Sequence, residues 1–297
     1  MPHDIHVCGR FAPSPTGRMH LGNVYTAVMS CYHARRKGGR WILRIEDLDP
    51  QRSRPEYADA IMDDLQWLGL RWDGEPYYQS KRHGIYADAL GRLSALGLVY
   101  PCHCTRADIM STQAPHQSDG HIVYAGTCRP KSQVYGAATL AETLRMMVPP
   151  FPDFITAGHG PVYSFEDGIH GHTVVNLAET FGDFVLRRRD GAWAYQLAVA
   201  VDDALMGVTQ VVRGEDLLLS TGVQRYIQHV LGLAMPSEYI HLPLLRNNAG
   251  QRLSKRDGAM AMDQLRTRHT PYEIIDMVCR HAGMDAGQVL AVIRCGE

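Results

Sequence analysis

The stretch from Arg10 to Asn23, Arg-Phe-Ala-Pro-Ser-Pro-Thr-Gly-Arg-Met-His-Leu-Gly-Asn, constrains this chain most. A β-prone run, His6 to Phe11, leads into it. Pro13, Pro15 and Gly17 continue neither a strand nor a helix and force a loop. After Gly22, Val24, Ala27, Val28 and Cys31 fall at helical spacing. A strand, a tight loop and a helix N-terminus carrying a histidine make an anion site, because the N–H groups of the first helical turn have no partner inside the helix.

The next elements build on that unit. The helix is expected over Leu21–Lys37, stopped by Gly38-Gly39, with a second strand at Arg40–Ile45. A right-handed βαβ crossover brings both strand ends to one edge of a parallel sheet and sets Glu46-Asp47 beside the first loop. A capping box at Ser53/Glu56 opens a helix with Tyr57, Ile61, Leu65 and Leu68, and a further helix after Ser80 carries Ile85, Ala89, Leu93 and Leu96 up to Gly97. Polar residues at 113–119 read as a mobile loop, and Pro149, Pro150 and Pro152 as an irregular stretch of an inserted domain. Phe184–Arg188 and Ala192–Tyr195, around Asp190-Gly191, read as a β-hairpin. The α/β pattern then resumes, with helices at Gln196–Leu205 and Thr221–Leu231 and strands at Thr209–Val212 and Tyr239–His241. The tail is helical, with Thr270, Pro271 and Glu273 as a helix start.

Composition narrows the class. Hydrophobic content of 45% and charged content of 21% over 297 residues fit a globular protein with a full core. A net charge of −1 gives no global field for nucleic acid, so an RNA partner has to be held by local patches such as Arg35-Arg36-Lys37, Arg187-Arg188-Arg189 and Arg266/Arg268. The seven cysteines are odd in number, and three crowd into 102–128, which suggests a metal site rather than a disulfide framework. The start, Met-Pro-His-Asp, has no basic end followed by an apolar block, and the run Leu197–Val201 stops at Asp202-Asp203. Neither a leader nor a membrane span is therefore expected, and a reducing cytoplasm fits.

Two loops share one chemistry. The first offers Arg10, His20 and backbone amides; the second, far along the chain, offers Ser254, Lys255 and Arg256 after Asn-Asn-Ala-Gly. Nucleotidyl transfer needs positive charge and hydrogen-bond donors around the phosphate oxygens, and a histidine and a lysine supply them from two sides. Arg10 and Arg213 are natural partners for a carboxylate, since a guanidinium offers it two parallel hydrogen bonds. For Arg213 an ion pair with Glu215 or Asp216 is the structural alternative, and Tyr195 could equally be a core residue.

Four motifs in order carry a resemblance. Arg10 to Asn23, then Arg44-Ile45-Glu46-Asp47-Leu48-Asp49, then Val212-Arg213-Gly214-Glu215-Asp216, then Arg252-Leu253-Ser254-Lys255-Arg256 resemble the signatures of class I glutamyl-tRNA synthetases. The short form, with a Cys-x-Cys…Tyr-x-x-x-Cys insert and little chain after the Ser-Lys loop, resembles the glutamyl-Q tRNA(Asp) synthetases. That resemblance implies an α/β, Rossmann-type class I catalytic domain with an inserted zinc-bearing subdomain and a short helical C-terminal region. Its parts would be 1–100 and 191–242 for the two catalytic halves, 101–190 for the RNA-contacting insert, and 243–297 for the Ser-Lys loop and helices.

It also implies an activity: ATP-dependent, tRNA-independent formation of glutamyl-adenylate, then transfer of glutamate to queuosine in the anticodon stem-loop of tRNA(Asp). Arg10, Phe11, Ala12, Pro13, Ser14, Glu46, Tyr195 and Arg213 would bind L-glutamate. His20, Gly22, Asn23, Ser254 and Lys255 would bind ATP with Mg2+, and His20 and Lys255 would be catalytic. Asn23 stands where many class I enzymes have a second histidine, and Val199 where larger glutamyl enzymes often have asparagine. One structural Zn2+ per chain would sit on Cys102, Cys104, Cys128 and Tyr124; on chemistry alone His103, His116 and His121 compete for the fourth place. The protein would be a monomer. A minimal glutamyl-tRNA synthetase charging an acceptor end, a nucleotidylyltransferase and a non-catalytic RNA-binding protein are the competing readings.

Overall fold

In a computed structural model, residues 6–111, 123–130, 142–148, 162–245 and 260–294 are described. The polar stretch 113–119, the prolines 149, 150 and 152, His116, His121 and the whole Ser254–Lys255–Arg256 motif lie outside the described residues. In chain order the strands are β1 (Cys8–Phe11), β2 (Arg40–Ile45), β3 (Tyr77–Tyr78), β4 (Val99–Cys102), β5 (Thr143–Met146), β6 (Val162–Asp167), β7 (Gly171–Asn176), β8 (Phe184–Arg187), β9 (Gln210–Gly214) and β10 (Glu238–Leu242). The helices are α1 (Leu21–Arg35), α2 (Pro55–Trp67), α3 (His83–Ala95), α4 (Arg106–Ser111), α5 (Leu177–Thr180), α6 (Tyr195–Leu205), α7 (Ser220–Val230), α8 (Met262–Arg266), α9 (Pro271–His281) and α10 (Ala286–Arg294).

The main sheet has the order β3-β2-β1-β9-β10-β6-β7, parallel throughout except for the antiparallel edge pair β6–β7. A smaller antiparallel sheet has the order β4-β5-β8. Apolar layers cover both faces of the main sheet. On one side α1, α2 and the C-terminal helices pack against Phe11, Trp41, Leu43, Ile45, Val212 and Ile240. On the other, α3, α6 and α7 pack against Cys8, Ile42, Val211 and Tyr239. The α/β fold with a parallel sheet and a helical C-terminus is the one expected from the sequence. Helix α1 is buried nearly all round because the sheet lies on one side of it and α9 and α10 on the other. Gly9 permits the approach to the sheet: a Cβ there would lie 2.9 Å from Ala34 Cβ.

Four local expectations change. The helix expected from Ser53 starts later: Arg54 is the N-cap and Pro55 takes the first position, where its fixed φ and missing N–H cost nothing. Leu96 is 56% exposed, because α3 ends at Ala95 before reaching it. In the expected hairpin only β8 forms; Arg187 and Trp193 make a single bridge, and Tyr195 begins α6. The hairpin β6–β7, read as part of the inserted stretch, adds to the main sheet through a parallel contact of β6 with β10.

The face of the sheet toward α6 and α7 changes character along the strands. Two residues beyond each apolar position comes a polar one: Cys8 then Arg10, Ile42 then Arg44, Val211 then Arg213, Tyr239 then His241, Phe165 then Asp167. All five polar residues are buried. Helix α6 supplies the counter-charge: Asp203 Oδ1 lies 2.6 Å from Arg44 Nη1 and 3.3 Å from Arg10 Nε. Burial opposes the ionisation of Asp203, but Arg10 and Arg44 outweigh it and hold the carboxyl below the usual carboxylate range. Asp203→Asn would leave two buried guanidiniums without their shared acid, and is expected to cost about 3–5 kcal/mol. Urea unfolding of the two proteins measures this, and an unchanged midpoint would refute it.

Candidate active site

The carboxyl edge of the sheet opens into a cleft of about 530 Å³. Arg10, Phe11, Ala12, Pro13, Ser14, His20, Gly22, Asn23, Glu46, Tyr195 and Arg213, distant in sequence, all line it. The loop 12–19 is held to its neighbours by backbone: Glu46 N donates to Pro13 O at 2.9 Å and Arg54 N to Pro15 O at 3.0 Å. This is the placement of Glu46 beside the first loop that the βαβ unit requires.

His20 is the N-cap of α1. Its Nδ1 accepts from Gly22 N at 3.1 Å, while Asn23 Oδ1 accepts from His20 N at 3.0 Å, a reciprocal cap. In the neutral ring the proton therefore sits on Nε2, which makes that nitrogen a donor. Asn23 spends its side chain on the cap. The chain leaves the described residues at Leu245, which lines the cleft, and re-enters beside His20: Ala261 pairs with His20, and Met262 N donates to Met19 O at 2.8 Å.

On the opposite wall, Arg213 is only 4% exposed. Its Nε donates to His241 Nε2 at 3.1 Å, Nη1 to Gln224 Oε1 at 2.9 Å and Tyr195 Oη at 3.4 Å, and Nη2 to Thr221 Oγ1 at 2.8 Å and Leu217 O at 3.3 Å. Every one of these acceptors is neutral. The ion pair with Glu215 or Asp216 is not made: among the described residues no carboxylate comes within ion-pair distance of Arg213. Across the cleft Glu46 Oε1 lies 3.1 Å from Arg44 Nη2. Burial raises its carboxyl above the usual range, an effect Arg44 and Arg10 only partly offset. Arg10 and Arg44 thus share Asp203, and Arg44 also meets Glu46, whereas Arg213 has no carboxylate among its direct partners.

A second cleft of about 460 Å³ shares Ser14, Thr16, Glu46 and Tyr195 with the first, and is otherwise lined by residues such as Asp49, Arg52, Arg188 and Trp193. Much of the basic character that the sequence suggests for RNA is paired internally. Arg35 meets Asp73 at 2.9 Å, Lys37 meets Glu238 at 2.8 Å, Arg188 meets Asp49 at 3.3 Å and Arg266 meets Asp64 at 2.9 Å.

The cysteines gather away from the cleft. Cys102, Cys104 and Cys128 bring their Sγ atoms within 4.8 Å of one another. Tyr124 Oη sits among them, 3.4 Å from Cys102 Sγ and 3.5 Å from Cys104 Sγ. Burial pushes the Cys128 thiol up, but a hydrogen bond from the His103 backbone and contacts with Tyr124, Cys104 and Cys102 bring it down to about 7, favouring the thiolate a metal binds. His103, by contrast, is exposed, with Nε2 3.5 Å from Glu142. Gly182 locks the cluster to β8: at φ +59 it bridges Tyr124, whose carbonyl oxygen would lie 2.6 Å from any Cβ placed there.

Sequence reasoning assigned no role to Asp167, Arg44, Asp203 or His241. A signal existed for two of them, since Arg44 and Asp203 interrupt otherwise apolar runs.

Comparison with known proteins agrees with this geometry. The model of the tRNA synthetase class I (E and Q) catalytic domain matches residues 6–295. A glutamyl-Q tRNA(Asp) synthetase of Neisseria meningitidis is 48% identical over 255 residues, 86% of this chain and 82% of that one. The enzyme of that name from Thiobacillus denitrificans is 47% identical over 256 residues, covering 86% and 80%. Among solved structures, a glutamate tRNA ligase from Elizabethkingia meningosepticum in complex with its amino acid superposes with a TM-score of 0.73 at 29% identity. That match covers 92% of this chain but only 60% of the ligase. Among the described residues no helix is long and apolar enough to cross a membrane. The chain belongs to the class I tRNA synthetases of the E and Q type and, within them, to the glutamyl-Q tRNA(Asp) synthetases.

Proposed function

We propose that this chain activates L-glutamate with ATP, without tRNA, to glutamyl-adenylate, and then transfers the glutamyl group to queuosine in the anticodon of tRNA(Asp). The observation that carries the first half is Arg213 itself, a buried guanidinium bonded only to neutral acceptors, in a cleft it shares with Arg10 and Glu46. A buried cation without a carboxylate is costly, and a dicarboxylate amino acid supplies the missing charge. The two longest bonds of Arg213, to Tyr195 Oη and Leu217 O, are those a ligand carboxylate can replace. Arg10 and Arg213 take glutamate's carboxylates, Glu46 its ammonium and Tyr195 a hydrogen bond. The loop Phe11 to Ser14 packs along it.

ATP lies along the start of α1. His20 Nε2 donates to its phosphates at the positive end of the helix, where Gly22 and Asn23 line the cleft, and Mg2+ accompanies them. Ser254 and Lys255, on the segment whose described flanks are Leu245, which lines the cleft, and Ala261, which pairs with His20, supply the remaining donors and positive charge. Glutamate's α-carboxylate attacks the α-phosphorus, and pyrophosphate leaves. No enzyme nucleophile is involved; His20 and Lys255 stabilise charge as it builds on the phosphate oxygens. The second cleft, sharing Glu46 and Tyr195 with the first, gives the acceptor hydroxyl a route to the glutamyl carbonyl. Zinc on Cys102, Cys104, Cys128 and Tyr124 fixes the segment around β4 and contributes nothing to the chemistry. The names of the similar enzymes support the queuosine target. We further propose a cytoplasmic monomer.

The deciding experiment is glutamate-dependent ATP–pyrophosphate exchange without tRNA. The proposal expects exchange; its absence in folded, zinc-replete protein refutes it. Glutamylation of tRNA(Asp) with and without queuosine then separates the anticodon from the acceptor end, equal labelling indicating the latter. Lys255→Ala is expected to lower the exchange kcat on the order of 10²–10³-fold with little change in glutamate KM; a change confined to KM would remove Lys255 from the transition state.

The raised carboxyl of Glu46 sets a pH dependence. Only the ionised form holds an ammonium, so glutamate KM is expected to rise as pH falls from neutral toward that carboxyl's range. A pH series shows the effect, and it is expected to be absent in Glu46→Gln, whose KM is high throughout. An identical acid limb in both proteins would assign the limb elsewhere.

A further inference from the structure

Behind Arg213 stands a pair of residues with no part in the reaction described so far. His241 on β10 is fully buried, and its Nδ1 lies 2.6 Å from Asp167 Oδ2 on β6, also without side-chain exposure. The other ring nitrogen, Nε2, accepts from Arg213 Nε at 3.1 Å. We infer that Asp167 and His241 are positioning residues for the amino-acid substrate: Asp167 fixes the tautomer of His241, and His241 in turn fixes the plane of the Arg213 guanidinium. The inference rests on the assignment of Arg213 to a glutamate carboxylate.

The chemistry runs in one direction. Asp167 is ionised: burial opposes this, but hydrogen bonds from the backbone of His170 and Ile169 and from the His241 ring hold its carboxyl below the usual range. An ionised carboxylate only accepts, so Nδ1 carries the proton and Nε2 keeps a lone pair for Arg213. Were the proton on Nε2, a donor would face a donor across 3.1 Å. Protonation of both nitrogens would do the same, but burial, reinforced by Arg213, lowers the imidazole to about 4 despite Asp167. The ring is therefore neutral over the working pH range, in one tautomer.

Of the acceptors around Arg213, His241 alone holds Nε, the atom that fixes the guanidinium's rotation and leaves its Nη edge toward the cleft. Asp167 is itself immobilised. Its Oδ1 accepts from Ile169 N and His170 N, both at 3.0 Å, and its Oδ2 also accepts from His241 N at 3.1 Å. An amide in its place has one oxygen for these two sets of donors. If that oxygen keeps the turn, its NH2 faces Nδ1 and drives the imidazole proton to Nε2.

The test uses the wild-type enzyme and three variants. Nitrogen-15 spectra of the histidine rings, with His241 assigned by its loss in His241→Gln, are expected to show Nδ1 protonated and Nε2 bare from pH 5 to 8. The opposite tautomer, or two in exchange, would overturn the inference on unmodified protein, whatever the cleft binds. In exchange assays, Asp167→Asn and His241→Leu are expected to raise glutamate KM about 10–100-fold with ATP KM unchanged, the usual scale for removing an orienting partner. His241→Gln keeps an N–H for Asp167 and an oxygen for Arg213, and is expected to stay within about threefold of wild type. Equal glutamate KM in His241→Gln and His241→Leu, or a parallel rise in ATP KM, would reduce the pair to structural packing. Absence of exchange in the wild-type enzyme would instead defeat the assignment of the substrate, leaving the tautomer to be judged by the spectra.

Discussion

Guanidinium groups do not lose their protons in a protein, so a fold that buries them must bring acid to them. Here that acid is Asp203, on a helix whose other buried residues, Asp202 apart, are alanine, valine and leucine, reaching Arg44 at 2.6 Å and Arg10 at 3.3 Å. The arrangement is possible because parallel strands end together. Alternation gives these strands an apolar residue toward α6 and α7 in mid-sheet and a polar one nearer the carboxyl end; the register sets His241 level with Arg213, while Arg10 lies level with Ile42 and so one side-chain step below Arg44. The polar row is thus continuous with the core beneath it. The apolar layers pin the strands; the strands in turn hold the charges where water is scarce and electrostatic interactions are strong.

Most of this architecture was legible in the sequence. The first βαβ unit follows directly from breakers and spacing, and the strand bounds of β2 agree residue for residue with expectation. The C-terminal helix start was also readable, since Thr270 accepts from Glu273 N and Glu273 reaches back to Thr270. The hairpin β6–β7 was not, although Tyr163 and Phe165 alternate with Ser164 and Glu166. Six residues of alternation are a short signal, and membership of a sheet depends on a partner strand, here β10, that no local pattern names. At Ser53 the pattern misled because a proline two residues later already dictated where the helix could begin.

The cleft divides in the same way. Residues carried by the motifs, Arg10 to Ser14, His20, Glu46 and Arg213, come together with Tyr195 around one cavity. Those that orient them do not belong to any local motif. Asp203 acts 193 residues from Arg10, and Asp167 acts 74 residues from His241. A residue that touches substrate can be suspected from its type and neighbours. One that touches the residue that touches substrate becomes visible only when the chain has folded. The cysteine cluster is intermediate, because Cys102 and Cys104 announce themselves, while the position of Tyr124 among the sulfurs depends on a glycine, Gly182, on a different element.

The return of the chain at Ala261 bears on how such a protein can vary over time. Residues 260–262 are seated by backbone pairing with Met19 and His20 and by burial of Met262, and Leu245 is buried in the same core. The pairing contacts are made by main-chain atoms, which a change of side chain can leave in place, whereas the His20 side chain is at once helix cap and cleft wall, so any change there touches both.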